Sequence, residues 1–408
     1  MTEEIMKVYM DHGATTAVDP EVKEEMMKYF NDEYGNASQM YELGRNAALA
    51  VEQARERLAK LLGAQPREII FNSGGTESDN TALKGIMLSS KTKKKHMITS
   101  VIEHPAILRT AEFLETQGIK VTYLPVDEFG LVNPEDLKKA LTKDTALVSI
   151  MHANNEIGTI EPIKDLAEIT HDGGGLFHTD AVQTVGKIPI DVKQIDVDLL
   201  SLSSHKIYGP KGVGALYKKQ GIFVQPLIHG GGHEGGFRSG TENVSGIVGL
   251  GKAAEVAMIK LPEEKERLTK MRDKLITNLL KVSDSKLNGH PTQRLPHNVN
   301  VIFKYIEGEA LILRLDARGI YGSTGSACST KKLEASHVLL AIGLRHEVAH
   351  GSLRLTLGRW TTDKEIDYVS KVVPEVVEQL RAMSAFTKET EGFVMSLKDD
   401  HDDDHCET

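Results

Sequence analysis

The chain has 408 residues, 40% hydrophobic and 26% charged, the balance of an ordinary globular protein with room for roughly two to three cores. Its formal charge of -9 excludes the clustered basic surface that nucleic acids require, so no nucleic-acid partner is expected. No uncharged apolar run approaches the roughly 20 residues that span a bilayer, so no membrane partner is expected either. Met1 to Met10 holds Glu3 and Glu4 and has no apolar core after a basic stretch; neither a signal nor a transit sequence is read there, and the expected location is cytoplasmic.

In chain order, Ala47, Val51, Ala54, Leu58, Leu61 and Leu62 share one side of a 3.6-residue period, with Gly63 as the stop, which predicts an amphipathic helix. Short apolar runs then predict strands at Glu68 to Phe71, His96 to Thr99, Ala146 to Met151, Leu176 to His178, Asp198 to Leu202 and Val213 to Tyr217. Strands alternating with helices imply an α/β fold with a mostly parallel sheet covered on both faces, whose ligands collect at the strands' C-terminal ends. Polar residues follow five of these strands: Ser73 to Ser78, Glu103 with His104, Asn154 with Asn155, Asp180, and Ser203 to Lys206. Together they predict one shared site. Pro262 suits the first turn of a long charged helix reaching about Val282, taken as the start of a smaller second domain. Asp399, Asp400 and Asp402 to Asp404 form a terminal charge run of the kind expected to be disordered.

Several of these residues suit specific chemistry. Lys206, after a buried strand, can lose its charge by desolvation and act as a nucleophilic amine able to form a Schiff base; the plainer alternative is a solvated loop lysine. Ser73-Gly74-Gly75-Thr76-Glu77-Ser78 offers glycines, free N–H groups at a helix start and the Thr76 hydroxyl for a phosphate, or else is a turn with a helix cap. It is not a nucleotide P-loop, since no Gly-Lys-Ser/Thr follows. Asp180 can keep a pyridine nitrogen protonated, with Gln183 reaching the phenolic oxygen of the same ring, or Asp180 is only a helix cap. His104 can stack on such a ring and exchange protons, or lie in a plain His-Pro loop.

Gly322 to Thr330 contains only small residues, so it cannot anchor itself by apolar burial; it suits a swinging arm for Cys328. The chain has only two cysteines, Cys328 and Cys406, too few for a disulfide framework, and Cys328 reads as a reactive thiol. Arg354, in the alternating run Leu353 to Leu357, can clamp a substrate carboxylate if it points inward, or decorate the surface if it points outward.

Read together, these segments resemble the cysteine desulfurases of the NifS/IscS type, which are fold-type I pyridoxal-phosphate (PLP) enzymes. The resemblance runs through Tyr9 to Thr16, Phe71 to Asn80, Thr99 to Pro105, His152 to Gly158, Phe177 to Gly186, Leu200 to Gly214, Arg238 to Asn243, Ser326-Ala327-Cys328 and Leu353 to Arg359. It implies a large PLP domain over residues 15–261 with a seven-stranded, mostly parallel sheet. A smaller α+β domain over 1–14 and 262–393 would carry a mobile cysteine loop, leaving an acidic tail at 394–408.

It also implies that Lys206 is the Schiff-base lysine, that Asp180 pairs with the pyridine nitrogen, and that Gln183 contacts the ring hydroxyl. Gly75, Thr76, Ser203 and His205 would hold the phosphate, and Thr241 would reach the phosphate bound by the other subunit of a homodimer. His104 would stack over PLP and move protons, while Asn155 and Arg354 take the carboxylate of L-cysteine. Cys328 would receive the sulfur as a persulfide, leaving alanine, for an acceptor protein such as an iron–sulfur scaffold.

The chain departs from the family pattern at His233-Glu234-Gly235, where Gln-Glu-Arg is usual, at Ala37 and Tyr41, and at His12. None removes a catalytic residue. The tail with His401, His405 and Cys406 does not resemble the family's scaffold-docking tail; it reads as a solvated charge run rather than a metal site. Two other readings stay open: a different fold-type I activity, such as a selenocysteine lyase, a cysteine-sulfinate-acting enzyme or an aminotransferase, and a non-catalytic assembly protein that kept the fold.

Overall fold

The computed structural model describes residues 6–325 and 335–384. Its strands are β1 (Val8–Tyr9), β2 (Ile69–Asn72), β3 (His96–Ser100), β4 (Lys120–Leu124), β5 (Thr145–Ser149), β6 (Leu176–Asp180), β7 (Leu199–Ser203), β8 (Gly214–Lys218), β9 (Ser285–Leu287), β10 (Asn298–Phe303), β11 (Ile320–Tyr321) and β12 (Ser352–Thr356). Seven of them form the central sheet in the order β2-β8-β7-β6-β5-β3-β4. All run parallel except β8, which is antiparallel to both of its neighbours.

Successive side chains of a strand face opposite sides of its sheet. Accordingly Phe71, Ile98, Val148, Leu200 and Tyr217 enter one core, while their neighbours Ile70, Met97, Leu147, Leu199 and Leu216 enter another. The helix Glu42–Leu62 covers the first face with Val51, Ala54, Leu58 and Leu62, and ends at Gly63 in the left-handed region that glycine favours. Helices Gly75–Met87 and Pro105–Thr116 cover the second. Burial on both sides explains the near-continuous apolar runs of these strands.

Six strands of this sheet fall where the apolar runs predict them, within a few residues at each end. The seventh, β4, has no such signal: it sits at the sheet edge, and only Leu124 of its five residues is buried.

Pro262 does not start a helix. It lies inside one continuous helix, Val244–Leu279, which begins with Asn243 accepting a hydrogen bond from Gly246 N at 3.1 Å. An internal proline leaves the carbonyl four residues earlier without its helical donor. Here Pro262 and its neighbour Glu263 are exposed, so water can satisfy that group. The expected domain border at residue 261 therefore falls within this helix, whose early residues Ile247, Leu250, Ala253 and Ala254 join the large sheet's core. Its later residues Leu268, Met271, Leu275 and Leu279 join a separate cluster with β10, β12 and the helix Asp363–Arg381.

In that second unit β12, β10 and β9 form an antiparallel sheet, and β1 pairs with β11. Asp11 bridges to Thr356, and Ser323 to Arg354, which joins the chain's early residues and the segment around Ser323 to β12.

Candidate active site

β2, β3, β5, β6 and β7 are mutually parallel, so the polar residues that follow them gather at one edge of the central sheet. β7 ends at Ser203 and passes into a single 3-10 turn, Ser204–Lys206. There the Lys206 amine donates to the carbonyls of Gly13 and, at 2.8 Å, of Ala14. Gln183 Nε2 donates to the same Gly13 carbonyl at 3.1 Å, so one peptide joins the lysine to the turn after β6. Residues 13–16 are laid over 205–208 by further bonds: Thr16 Oγ1 donates to the His205 carbonyl at 2.9 Å, and Tyr208 N donates to Thr16 Oγ1 at 3.0 Å.

Asp180 closes β6, almost fully buried, and its Oδ1 accepts Val182 N at 2.9 Å. It therefore caps a turn, not the helix its neighbours suggest, and one carboxylate oxygen does the capping. Burial pushes its carboxyl up, while His104, the Val182 N–H and Lys206 pull it back down. Beneath it Asp79 is also fully buried, and burial together with the charge of Asp180 pushes the Asp79 carboxyl well up. Two such carboxyls favour a single negative charge between them, and Asp180 is the one with the Lys206 ammonium nearby.

His104 caps the helix Pro105–Thr116, its Nδ1 accepting Ala106 N at 3.1 Å. Burial lowers its basicity; Asp180 opposes this and Lys206 and His337 add to it, so the ring is neutral. Because Nδ1 is an acceptor, the proton sits on Nε2.

The helix Gly75–Met87 opens without a side-chain cap, which leaves the N–H groups of its first turn free to bind an anion. A Cβ on Gly75 would stand 2.7 Å from Val182 Cγ2 and 3.8 Å from Ser203 Cβ, so only glycine lets this turn approach β7 and the Asp180 turn so closely. Thr76 is exposed beside it and Ser203 is buried. His205 Nδ1 lies 3.0 Å from Thr15 Oγ1; burial, with Lys206 and Lys211 nearby, lowers its pKa to about 4, so it is neutral.

Arg354 points inward and is 3% exposed. Its Nη1 donates to the Asn155 carbonyl at 3.1 Å and its Nη2 to Asp11 Oδ1 at 2.8 Å, while Nε is buried with no hydrogen-bond partner among the described residues. The half-buried Asn155 thus stands at the same place as the guanidinium.

Most of the residues singled out in the sequence therefore converge: Gly75, His104, Asp180, Gln183, Ser203, His205 and Lys206 around the sheet edge, with Asn155 and Arg354 beside them. Thr241 is exposed on the loop before the helix Val244–Leu279, outside this hydrogen-bonded group. That loop is tied to the Gly75 turn by Arg238 Nε, which donates to Glu77 Oε1 at 3.0 Å. Cys328, like His401, His405 and Cys406, lies outside the described residues. Sequence reading missed Asp11, the Gly13 and Ala14 carbonyls, Thr15 and Asp79. Their only signal was the position of two of the matched segments, Tyr9 to Thr16 and Phe71 to Asn80. Among the described residues no helix is long and apolar enough to cross a membrane, and no cluster of three or more His, Cys, Asp or Glu side chains could hold a metal ion.

Residues 8–369 match the family model described as aminotransferase class-V. A cysteine desulfurase IscS of Methanosarcina thermophila is 56% identical over 380 residues, 93% of this chain and 94% of its own length. Another, from Clostridium botulinum strain Hall, is 56% identical over 381 residues, covering 93% and 96% of the two chains. Among solved structures, a NifS-like protein superposes with a TM-score of 0.87 at 42% identity, covering 92% of this chain and all of its own. SspA in complex with cysteine does so with a TM-score of 0.78 at 37% identity, over 87% of this chain and 100% of that one.

Proposed function

The chain belongs to the class-V aminotransferase family, and on that premise we propose that it is a PLP-dependent cysteine desulfurase, taking sulfur from L-cysteine, releasing L-alanine and carrying the sulfur as a persulfide on Cys328. The observation that carries this reading is the junction at the Gly13 carbonyl, which draws the Lys206 amine and Gln183 together beside the buried Asp180. PLP, when bound, supplies an electron sink that stabilises negative charge at the α-carbon of an amino acid.

The residues fit that group. Lys206 would hold it through its amine, Asp180 through the ring nitrogen and Gln183 through the ring oxygen. The uncapped helix start at Gly75 and Thr76, with Ser203 and His205, would take the phosphate, and a side chain at Gly75 would fill that cradle. His104 would lie against the ring. Thr241 would reach the phosphate site of a second subunit in a homodimer.

The chain's own groups then divide the work. Arg354, with Asn155, takes the substrate carboxylate, which replaces Asp11 as the partner of Nη2 and meets the unpaired Nε. The Lys206 amine takes and returns the α-proton. His104, neutral, keeps its proton on Nε2 for exchange with substrate. The Cys328 thiolate forms a bond to the substrate sulfur as the Cβ–S bond breaks, and the electron pair left on Cβ takes a proton, giving alanine. An acceptor protein such as an iron–sulfur scaffold would then receive the persulfide sulfur.

Cys328→Ser is expected to keep the yellow cofactor absorbance while losing sulfide and persulfide release, and Lys206→Ala to lose both the lysine-linked absorbance and turnover. Unchanged sulfide release by Cys328→Ser would end the assignment. That outcome would favour another fold-type I activity.

A further inference from the structure

Glu156 follows the end of β5 and is 5% exposed. Its backbone is fixed from both sides: its N–H donates to Asn154 Oδ1 at 2.8 Å, and its carbonyl accepts Asn298 Nδ2 at 3.1 Å and Asn300 Nδ2 at 3.0 Å from β10. Its carboxylate faces two chain positions remote from one another in sequence. Ser336 Oγ donates to Glu156 Oε2 at 2.5 Å, and a Cβ on Gly325 would lie 3.1 Å from the same oxygen. Gly325 has φ +92°, a conformation other residues rarely take, so the close approach and the backbone turn both call for glycine there.

Each of those positions is itself pinned. Gly325 N donates to Ser323 Oγ at 3.1 Å, and Ser323 exchanges backbone hydrogen bonds with Arg354. Ser336 caps the helix His337–Ala341. One carboxylate oxygen thus meets both flanks of residues 326–334, and the residue before it, Asn155, accepts from Arg354.

We propose that Glu156 is a positioning residue for sulfur transfer: by gripping Ser336 and backing Gly325 it fixes both flanks of the stretch bearing Cys328 relative to the strand end that meets the substrate carboxylate. This rests on the desulfurase reading. A buried carboxylate suits the task because it accepts a strong, short hydrogen bond from a hydroxyl, and its own backbone cannot shift without breaking three others. Loss of the grip leaves cysteine binding and α-proton removal intact and slows the step that needs the thiol in register, where misplacement by about 1 Å can cost on the order of a hundredfold.

The test compares two readouts on the cofactor-loaded enzyme in a single turnover: the change in visible absorbance on adding L-cysteine, and persulfide on Cys328 trapped by alkylation and counted by mass spectrometry. For Glu156→Ala the absorbance change is expected within about twofold of the parent rate and the persulfide rate at least about tenfold lower. Glu156→Gln, whose amide oxygen still accepts from Ser336, should recover most of that loss. Ser336→Ala should match Glu156→Ala, and the two losses should not add.

A parent-like persulfide rate in Glu156→Ala overturns the inference, and so does an equal slowing of both readouts. If Glu156→Ala loses its yellow absorbance, Ser336→Ala decides by the same criteria. No persulfide on Cys328 in the parent itself would instead withdraw the desulfurase reading.

Discussion

Burial holds the Glu103 carboxyl protonated, its pKa pushed up from 4.5 to about 8; hydrogen bonds from Ser100 and Met151 oppose this, and Asp180 and Glu161 reinforce it. The unfolded chain releases that proton near 4.5, whereas the folded chain keeps it to about 8. Between those values the native state binds more protons, so stability falls as pH rises, by up to about 1.4 kcal/mol per pH unit. Glu103→Gln keeps an acceptor for Ser100 Oγ and Met151 N but has nothing to ionise. Its urea midpoint should equal the parent's near pH 5 and move steadily above it toward pH 8. Curves that stay parallel would mean that the carboxyl is already charged in the fold. As a strand-end polar residue Glu103 was visible in the sequence, yet its protonation was not, because that depends first on complete burial and then on Asp180 and Glu161, which reach it from elsewhere in the chain.

At the scale of elements, the helix Val244–Leu279 carries its flaw at Pro262, where an N–H is missing and the ring disfavours the preceding turn. Alanine is better than proline in a helix interior by about 3 kcal/mol, and part of that is offset because proline also restricts the unfolded chain. Pro262→Ala is therefore expected to stabilise the protein by about 1–2 kcal/mol, read as a higher urea midpoint. A lower midpoint would show the proline to be required by packing.

Element reading from sequence succeeded where burial is two-sided: Ile98, Val148 and Leu200 sit in strands buried at every position, so apolar residues run along both faces rather than alternating. It failed at β4, whose half-exposed edge position demands no such run. It also failed at Pro262, because a proline at a helix start and a proline on the wet side of a helix look alike in one dimension.

Across the whole molecule, the site was legible strand by strand because each group follows directly on an apolar run: His104 after β3, Asp180 at the end of β6, Lys206 after β7. What joins those groups was not legible. Arg354 meets Asp11 across 343 residues, Lys206 meets Gly13 across 193, and Ser336 meets Glu156 across 180, and no local spacing announces such pairs. Backbone carbonyls such as that of Gly13 carry no residue-type signal at all.

The helix of 36 residues that enters both cores, roughly 54 Å long by its rise per residue, ties their fates thermally as well. Neither core can melt without stripping apolar cover from a rod whose other half is still packed. Scanning calorimetry of the cofactor-free protein should accordingly give a single endotherm whose calorimetric and van't Hoff enthalpies agree. Two resolved peaks would mean that the rod snaps at Pro262 before either half lets go.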